Sequence, residues 1–369
     1  MSVPLLDLTR QYQPLRDEFR AVLDRVCDSQ RFILGDEVDG FEREAAEVLE
    51  SRHAVGVSSG TDALLEALMA LNVGPGDEVI IPTFSFFATA GVVARLGARL
   101  VFVDVDPVDY CIDPGQIADR INDQTKAVIP VHLFGQAADM DAVMAAAGEV
   151  PVLEDCAQAW GAEIGGRQVG SMGRLGAFSF FPSKNIGCFG DGGLITSQDP
   201  ELDAMLRRLR MHGQAGTYEH PVVGGNFRLD ALQAAVLRVK LPHVASWVDG
   251  RRANAGRYTE LFADAGLQDT IGLPVEMPGR RHTYNQYVIR VPRRDDLRAY
   301  LSEHGVGNAV YYPLPLHLQP CFADYGHQRG DLPVAEQASG EVLAIPVFPE
   351  LTEDELAEVV SRIAEFYGA

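Results

Sequence analysis

Short apolar runs alternate along the chain with longer segments in which apolar residues recur every three or four positions. The segments that begin at Thr61 and Asp139 have this helical period. Continuous apolar strands that alternate with helices are typical of a mostly parallel sheet covered by helices on both faces. We therefore predict a doubly wound α/β domain. Its strands are expected within residues 54–58, 77–82, 99–106, 125–135 and 150–155.

The alternation ends near residue 245. A long helical pattern over 246–265 is followed by a loop rich in proline and glycine and by an apolar run at 284–291. Helix and strand patterns are mixed beyond this point. We predict a large α/β domain over 1–245, which includes two N-terminal helices, and a smaller α+β domain over 246–369.

Composition and charge narrow the class of protein. The chain has 369 residues, 47% of them hydrophobic, and a net charge of −21. This charge gives no support to nucleic-acid binding, and no apolar run approaches the length of a membrane span. The first residues contain neither a basic region nor a long apolar core, so we expect a cytoplasmic protein. The cysteines lie far apart and form no CxxC pair, which argues against a disulfide framework or a zinc site. They are Cys27, Cys111, Cys156, Cys188 and Cys321.

One lysine lies between two apolar runs within residues 176–197. Lys184 follows the strand-like run 177–181 and precedes a glycine-rich turn, so we expect it on a tight loop between two strands. A lysine amine that is partly desolvated beside a carbonyl is the nucleophile that forms a Schiff base. The alternative is an ordinary solvated surface lysine.

Two other stretches carry complementary chemistry. The run 150–155 ends in Asp155, with Gln158 three residues later, and carboxyl ends of strands in such sheets meet ligands. Ser59, Gly60 and Thr61 form a small-residue turn before a helix, where free N–H groups favour a phosphate. A phosphate site, a carboxylate and a lysine are what pyridoxal phosphate (PLP) requires. The alternatives are that Asp155 and Thr61 only cap helices.

Five spaced motifs point to one family. They are SSGTDAL at 58–64, EDCAQAWGA at 154–162, FPSKNIGCFGDGG at 181–193, GGNFRLD at 224–230 and YYPLPLHLQP at 311–320. Together, and in this order, they resemble the sugar aminotransferases of the DegT/DnrJ/EryC1/StrS group. The resemblance implies a PLP-dependent transferase fold of the aspartate-aminotransferase type (fold type I). It also implies a homodimer with shared active sites.

The resemblance assigns roles to individual residues. Lys184 anchors the cofactor and moves protons, Asp155 faces the pyridine nitrogen and Gln158 faces the oxygen side of the ring. Phe86 stacks on the ring, and we expect Phe84 and Phe87 beside it to be core residues. The phosphate contacts are assigned to Ser59, Gly60, Thr61 and Ser179, with Asn226 reaching it from the partner subunit. For Ser179 the alternative is an outward polar strand residue, and for Asn226 a helix cap. Substrate contacts are assigned to Arg31, Arg228, Tyr312 and His317.

The implied reaction transfers an amino group from an amino acid, with glutamate the expected donor, to a nucleotide-linked keto-sugar. The motifs look more like members that act on 3-keto sugars. Two alternatives remain: a PLP-dependent sugar dehydratase, in which histidine replaces the anchoring lysine, and a non-catalytic regulatory protein. Trp160 stands where many relatives carry histidine, so that residue's role is not transferred. His132 is interpreted as a satisfied core histidine.

Overall fold

The computed structural model describes residues 1–368. The helices are α1 (Leu8–Ser29), α2 (Asp36–Val48), α3 (Gly60–Ala70), α4 (Phe87–Arg95), α5 (Met140–Ala147), α6 (Pro200–Leu209), α7 (Ala231–Lys240), α8 (Val244–Asp264), α9 (Arg294–Glu303), α10 (Pro333–Glu341) and α11 (Glu353–Tyr367). The strands are β1 (His53–Val57), β2 (Glu78–Pro82), β3 (Arg99–Val103), β4 (Thr125–Val128), β5 (Leu153–Asp155), β6 (Glu163–Ile164), β7 (Arg167–Gln168), β8 (Leu175–Ser179), β9 (Gly193–Ser197), β10 (Arg280–Arg281), β11 (Tyr287–Arg290) and β12 (Val342–Ile345). Among the described residues, none of the helices combines the length and the apolarity that crossing a membrane requires.

A mostly parallel sheet forms the centre of the molecule. Its two hydrogen-bonded groups have the orders β1-β9-β8-β5 and β3-β2-β4. Parallel bridges from Val128 to Val152 and from Val131 to Asp155 place β4 beside β5 and join the groups. Strand β9 runs antiparallel to both of its neighbours, whereas the other pairs are parallel. The predicted α/β fold class is confirmed.

The direction of the strands determines where the site lies. Because β1, β5 and β8 run the same way, their carboxyl ends reach one edge of the sheet. Strand β1 leads into α3, β5 ends at Asp155, and β8 ends at Ser179 before the loop of Lys184. The residues predicted from three distant parts of the sequence therefore follow strands that end at the same edge.

The C-terminal part has its own hydrophobic core. Strands β11 and β12 form an antiparallel pair, and Tyr287 of β11 is buried in one cluster with Tyr258 and Phe262 of α8. Helix α8 begins in the core of the large sheet with Val244 and Val248, and continues into this second core. The segment with Leu316, Phe322 and Leu332 returns to the large core. The division at residue 245 stays a prediction.

Candidate active site

The turn between β1 and α3 packs tightly against two other strands. Ser59 caps α3 by accepting a hydrogen bond from the N–H of Asp62 at 3.0 Å. A Cβ on Gly60 would lie 2.5 Å from Ser179 Cβ, and one on Gly193 would lie 2.4 Å from the carbonyl oxygen of Ser59. Thr61, in the first turn of α3, is exposed. The first N–H groups of a helix have no partner within it, so this end of α3 can receive an anion beside Ser179.

Lys184 lies on a turn directly beyond β8. Its backbone N–H donates to the carbonyl of Phe181 at 2.9 Å, while Ser179 Oγ accepts from the N–H of Phe181 at 3.3 Å. The side chain of Lys184 is half-buried. Burial lowers the pKa of its amine to about 8, against the opposing charge of Asp155. Lys184 is therefore not a freely solvated surface lysine, and a larger fraction of its amine is neutral at physiological pH than in an ordinary lysine.

Asp155 is a buried carboxylate at the end of β5. It accepts hydrogen bonds from Thr89 Oγ1 at 2.9 Å and from the N–H of Ala157 at 3.2 Å. Burial raises the pKa of Asp155, whereas Thr89 and the charge of Lys184 act in the opposite direction. The residues after Asp155 form a turn and not a helix, so the interpretation of Asp155 as a helix cap is wrong. Its carboxylate is held in place and available to a cationic partner.

Gln158 joins the sheet edge to the C-terminal part of the chain. Its Oε1 accepts from the N–H of Phe134 at 2.7 Å, and its Nε2 donates to the hydroxyl of Tyr312 at 3.0 Å. Burial raises the pKa of Tyr312, which stays protonated at neutral pH. Both predicted residues are therefore in direct contact, although 154 positions separate them.

The aromatic residues before α4 differ from the expectation. Phe84 is buried, whereas Phe86 is 57% exposed and Phe87 is 45% exposed. The expectation that Phe84 and Phe87 are core residues is therefore wrong for Phe87. The ring of Phe87 instead stacks at 5.6 Å on Phe322. The ring of Phe86 lies 6.3 Å from that of Tyr312, and more than half of the Phe86 side chain is exposed. An exposed aromatic ring can stack on another planar ring.

The GGNFRLD segment runs beside β1 of its own chain. The carbonyl of Phe227 accepts a hydrogen bond from the N–H of Ser58 at 2.8 Å, and Arg228 pairs with Val57. The side chain of Asn226 is exposed. Helix α7 is preceded by Asp230 at the N-cap position, so the interpretation of Asn226 as a cap of this helix is wrong.

The predicted arginines have different surroundings. Arg228 is half-buried, with a donor directed at the sulfur of Met211 at 3.7 Å. Its Nε is buried and has no hydrogen-bond partner among the described residues. Arg31 is exposed, in a loop that pairs with the start of α7 through Ile33 and Asp230. Arg228 thus lies beside the end of β1, and the loop of Arg31 lies beside the start of α7.

Two histidines and one tryptophan that the sequence analysis considered are buried in the structure. His317, which the resemblance places at the substrate, has a fully buried ring with Thr83 Oγ1 at 2.7 Å and Glu336 Oε1 at 3.3 Å. This ring has a structural position, and we leave it out of the substrate contacts proposed below. Trp160 is buried behind β8, with its ring 5.3 Å from that of Phe178. His132 is fully buried and hydrogen-bonded to Glu154 at 3.0 Å, as expected for a core histidine.

Sequence reasoning missed two residues that support the site. Glu154 is fully buried and accepts hydrogen bonds from His132 and from the backbone N–H groups of Gly170, Met172 and Gly173. Burial opposes its ionisation, but these bonds hold its pKa below the usual value. Thr89 fixes Asp155 from α4. Glu154 was visible as a second acid beside Asp155, whereas no sequence signal marked Thr89.

The arrangement fits PLP. Asp155 and Lys184 influence each other through their charges without a hydrogen bond between them. The exposed ring of Phe86 offers a surface for the pyridine ring, and the N-terminus of α3 offers a site for the phosphate. PLP needs these four features together.

Comparison with known proteins identifies the family. The model of the DegT/DnrJ/EryC1/StrS aminotransferase family matches residues 13–364. The "Pleiotropic regulatory protein" of Geobacillus stearothermophilus is 50% identical over 369 residues, which are 100% of this chain and 99% of the relative. The UDP-N-acetyl-3-dehydro-alpha-D-glucosamine 3-aminotransferase of Acidithiobacillus ferrooxidans is 46% identical over 98% of this chain and 97% of its own.

A solved structure agrees with the sequence matches. The crystal structure of S. venezuelae DesV in complex with a ketimine intermediate superimposes with a TM-score of 0.96 and 42% identity, covering 100% of this chain and 99% of the other. The protein described here belongs to the DegT/DnrJ/EryC1/StrS aminotransferase family and has its PLP-dependent transferase fold.

Proposed function

We propose that the protein is a PLP-dependent aminotransferase that moves an amino group from an amino acid, glutamate above all, to a nucleotide-linked keto-sugar. The observation that carries this proposal is the half-buried Lys184, whose amine has a pKa of about 8, on the same sheet edge as the buried Asp155. The sugar is proposed from relatives, because the Acidithiobacillus ferrooxidans relative is named for a 3-dehydro sugar.

Each side chain has a task that its surroundings support. When bound, PLP supplies an electron sink for the bonds of the donor's α-carbon. Lys184 holds the cofactor through its neutral amine and, once released, moves a proton at that carbon through Nζ. Asp155 keeps a proton on the ring nitrogen through a charge-assisted pair, and Thr89 orients its carboxylate. Gln158, held by Phe134 and Tyr312, faces the oxygen side of the ring.

The remaining predicted contacts are part of the same proposal. Ser59, Gly60, Thr61 and Ser179 bind the phosphate at the start of α3, where a helix dipole favours an anion. Phe86 stacks on the ring. Arg31, Arg228 and Tyr312 contact the sugar nucleotide, whose charge the two arginines complement in an otherwise acidic chain. A cytoplasmic location is proposed as well, since all five cysteines are free thiols in the structure.

A sugar dehydratase is the first competing function, and Lys184 opposes it, because that branch carries histidine at this position. A regulatory function is the second, and the name of the Geobacillus stearothermophilus relative favours it. A net charge of −21 gives such a role no nucleic-acid surface. Neither a dehydratase nor a regulatory protein needs the amine of Lys184 to transfer protons.

A spectral screen tests the substrate. The purified protein is first loaded with pyridoxamine phosphate, and 3-keto and 4-keto sugar nucleotides are then added one at a time. We expect a 3-keto sugar to restore the absorption of the lysine-linked cofactor, and a 4-keto sugar to act more slowly. A protein that responds to no keto-sugar, although it binds cofactor, would contradict the proposed function.

The working unit is proposed to be a homodimer in which Asn226 reaches the phosphate in the partner's site. Support comes from its exposed side chain, which caps no helix of its own chain. Chains with Lys184→Ala are mixed with chains carrying Asn226→Asp, whose carboxylate repels the phosphate. A mixed dimer with shared sites has one doubly defective and one intact site, so activity should exceed the average of the parents. Activity at that average, with subunit exchange confirmed, would contradict sharing.

A further inference from the structure

One buried arginine pairs with no carboxylate in the part of the chain that the structure describes. Arg210, Arg251 and Arg294 are each less than one-tenth exposed. Arg210 pairs with Glu42 at 2.5 Å and Arg294 with Asp295 at 2.7 Å. Arg251, which is 5% exposed, donates only to the backbone carbonyls of Tyr284 and Asn285, both at 3.3 Å from Nη1. Among residues 1–368, no acceptor is hydrogen-bonded to its Nε or Nη2.

An unpaired buried charge is costly, which is why buried guanidinium groups are normally paired. Burial lowers the pKa of Arg251 to about 10, and the opposing charge of Glu350 acts on it without a hydrogen bond. Arg251 therefore stays charged at neutral pH but forms no ion pair within 4.0 Å with a carboxylate of residues 1–368.

Arg251 lines a cavity of about 90 Å³ beside the loop of Lys184. Ser183, the residue before Lys184, lies in its wall together with Asn285, Gln286 and Tyr311. Asn285 Oδ1 is buried there without a donor. The cavity is thus lined by a buried guanidinium without a carboxylate partner, and two of its wall residues, Ser183 and Tyr311, directly precede Lys184 and Tyr312 in the sequence.

We propose that Arg251 binds a carboxylate of the amino-acid donor in this cavity, which we name the Arg251 pocket. The proposal rests on the aminotransferase function proposed above. A planar guanidinium binds a carboxylate with two parallel hydrogen bonds, which gives orientation as well as affinity. Every amino-acid donor carries a carboxylate on the carbon that bears the amine, and the Arg251 pocket shares its wall with Ser183, the residue before Lys184.

The size of the pocket favours the donor over the sugar. About 90 Å³ is room for several waters or for a carboxylate with its attached carbon. A hexose joined to a nucleoside diphosphate needs the several hundred Å³ of an ordinary ligand cleft. A uronic-acid sugar is the other source of a carboxylate, and the two half-reactions of the enzyme separate the two sources.

The test compares Arg251→Gln, Arg251→Lys and the matched control Arg252→Gln in the cofactor-loaded protein. Arg252 is the next residue of α8, but it pairs with Glu276 at 2.5 Å and does not line the pocket. The donor half-reaction is followed as the loss of the lysine-linked cofactor absorption after L-glutamate is added. The sugar half-reaction is followed after loading with pyridoxamine phosphate.

For Arg251→Gln we expect the second-order rate with L-glutamate to fall roughly 100-fold or more, because a bidentate charge pair is lost. The sugar half-reaction should change less than about twofold, Arg251→Lys should lie between, and Arg252→Gln should match the wild type. Calorimetry should show succinate bound by the wild type and by Arg252→Gln but not by Arg251→Gln.

Several outcomes would overturn the proposal. A normal donor rate in Arg251→Gln refutes it and leaves the proposed function intact, whereas a wild type that reacts with no amino acid refutes both. A defect confined to the sugar half-reaction assigns the pocket to a sugar carboxylate instead. A low melting temperature would show that Arg251→Gln fails to fold. In that case the donor rate of Arg251→Lys and the binding of succinate to the wild type test the proposal instead. A wild type that does not bind succinate refutes it.

Discussion

The tight approach of α3 to β8 makes Gly60→Ala a sensitive test of the phosphate site. The backbone of Gly60 is not in the left-handed region, so alanine can adopt it and only the contact with Ser179 opposes the change. The new Cβ would lie 2.5 Å from Ser179 Cβ, whereas ordinary contacts begin at 3.4 Å. One of the two segments must move by about 1 Å, which costs roughly 1–3 kcal/mol of unfolding free energy.

This cost can be expressed as a change in melting temperature. With an unfolding entropy of ~2.1 cal/mol/K per residue, a 369-residue chain loses about 1.3 °C per kcal/mol, so we expect a decrease of about 1–4 °C in the cofactor-free protein. Because displacement of the α3 N–H groups removes hydrogen bonds to the phosphate, the affinity for PLP should also fall roughly tenfold or more.

The matched control is Gly256→Ala in α8, where an added Cβ meets nothing within 4 Å. Alanine is the better helix former, so this change should keep or slightly raise the melting temperature and leave PLP binding unchanged. Thermal unfolding and absorbance titration with PLP measure both quantities. Equal behaviour of the two variants would refute the packing argument and, with it, the position of the phosphate.

Three further predictions concern the catalytic groups. Lys184→Ala should leave a folded protein without lysine-linked absorption and without turnover, and a pyridoxyl group found on Lys126 or Lys240 after borohydride reduction of the wild type would contradict the assignment. Asp155→Asn should keep the link to Lys184 but reduce turnover roughly 100-fold or more, measured at saturating substrate, because a neutral amide does not hold the ring proton. The rate at which cofactor-free protein forms the link should rise with pH and level off above about 8, the pKa of Lys184, since only the neutral amine attacks. A rate that keeps rising to the pKa of an ordinary lysine would show that burial does not act on this amine.

The sequence by itself determined the fold class and indicated the candidate site residues. Alternation of apolar strands with helical periods is a local property, and local period is enough to indicate a parallel sheet. The sheet then brings Ser59, Asp155 and Lys184 to one edge, because each follows a strand that ends there. Their chemistry could be predicted from residue type, and the five motifs indicated the family.

Only the tertiary structure decided which side chains touch. Thr89 meets Asp155 across 66 positions and Gln158 meets Tyr312 across 154, and such contacts leave no local pattern in the chain. Burial corrected other expectations: it removed the His317 ring from the surface. It also placed Arg251 in the interior without a carboxylate partner among residues 1–368. Exposure and pairing depend on distant segments that pack together in three dimensions, whereas periodicity and motifs report only on neighbours in sequence.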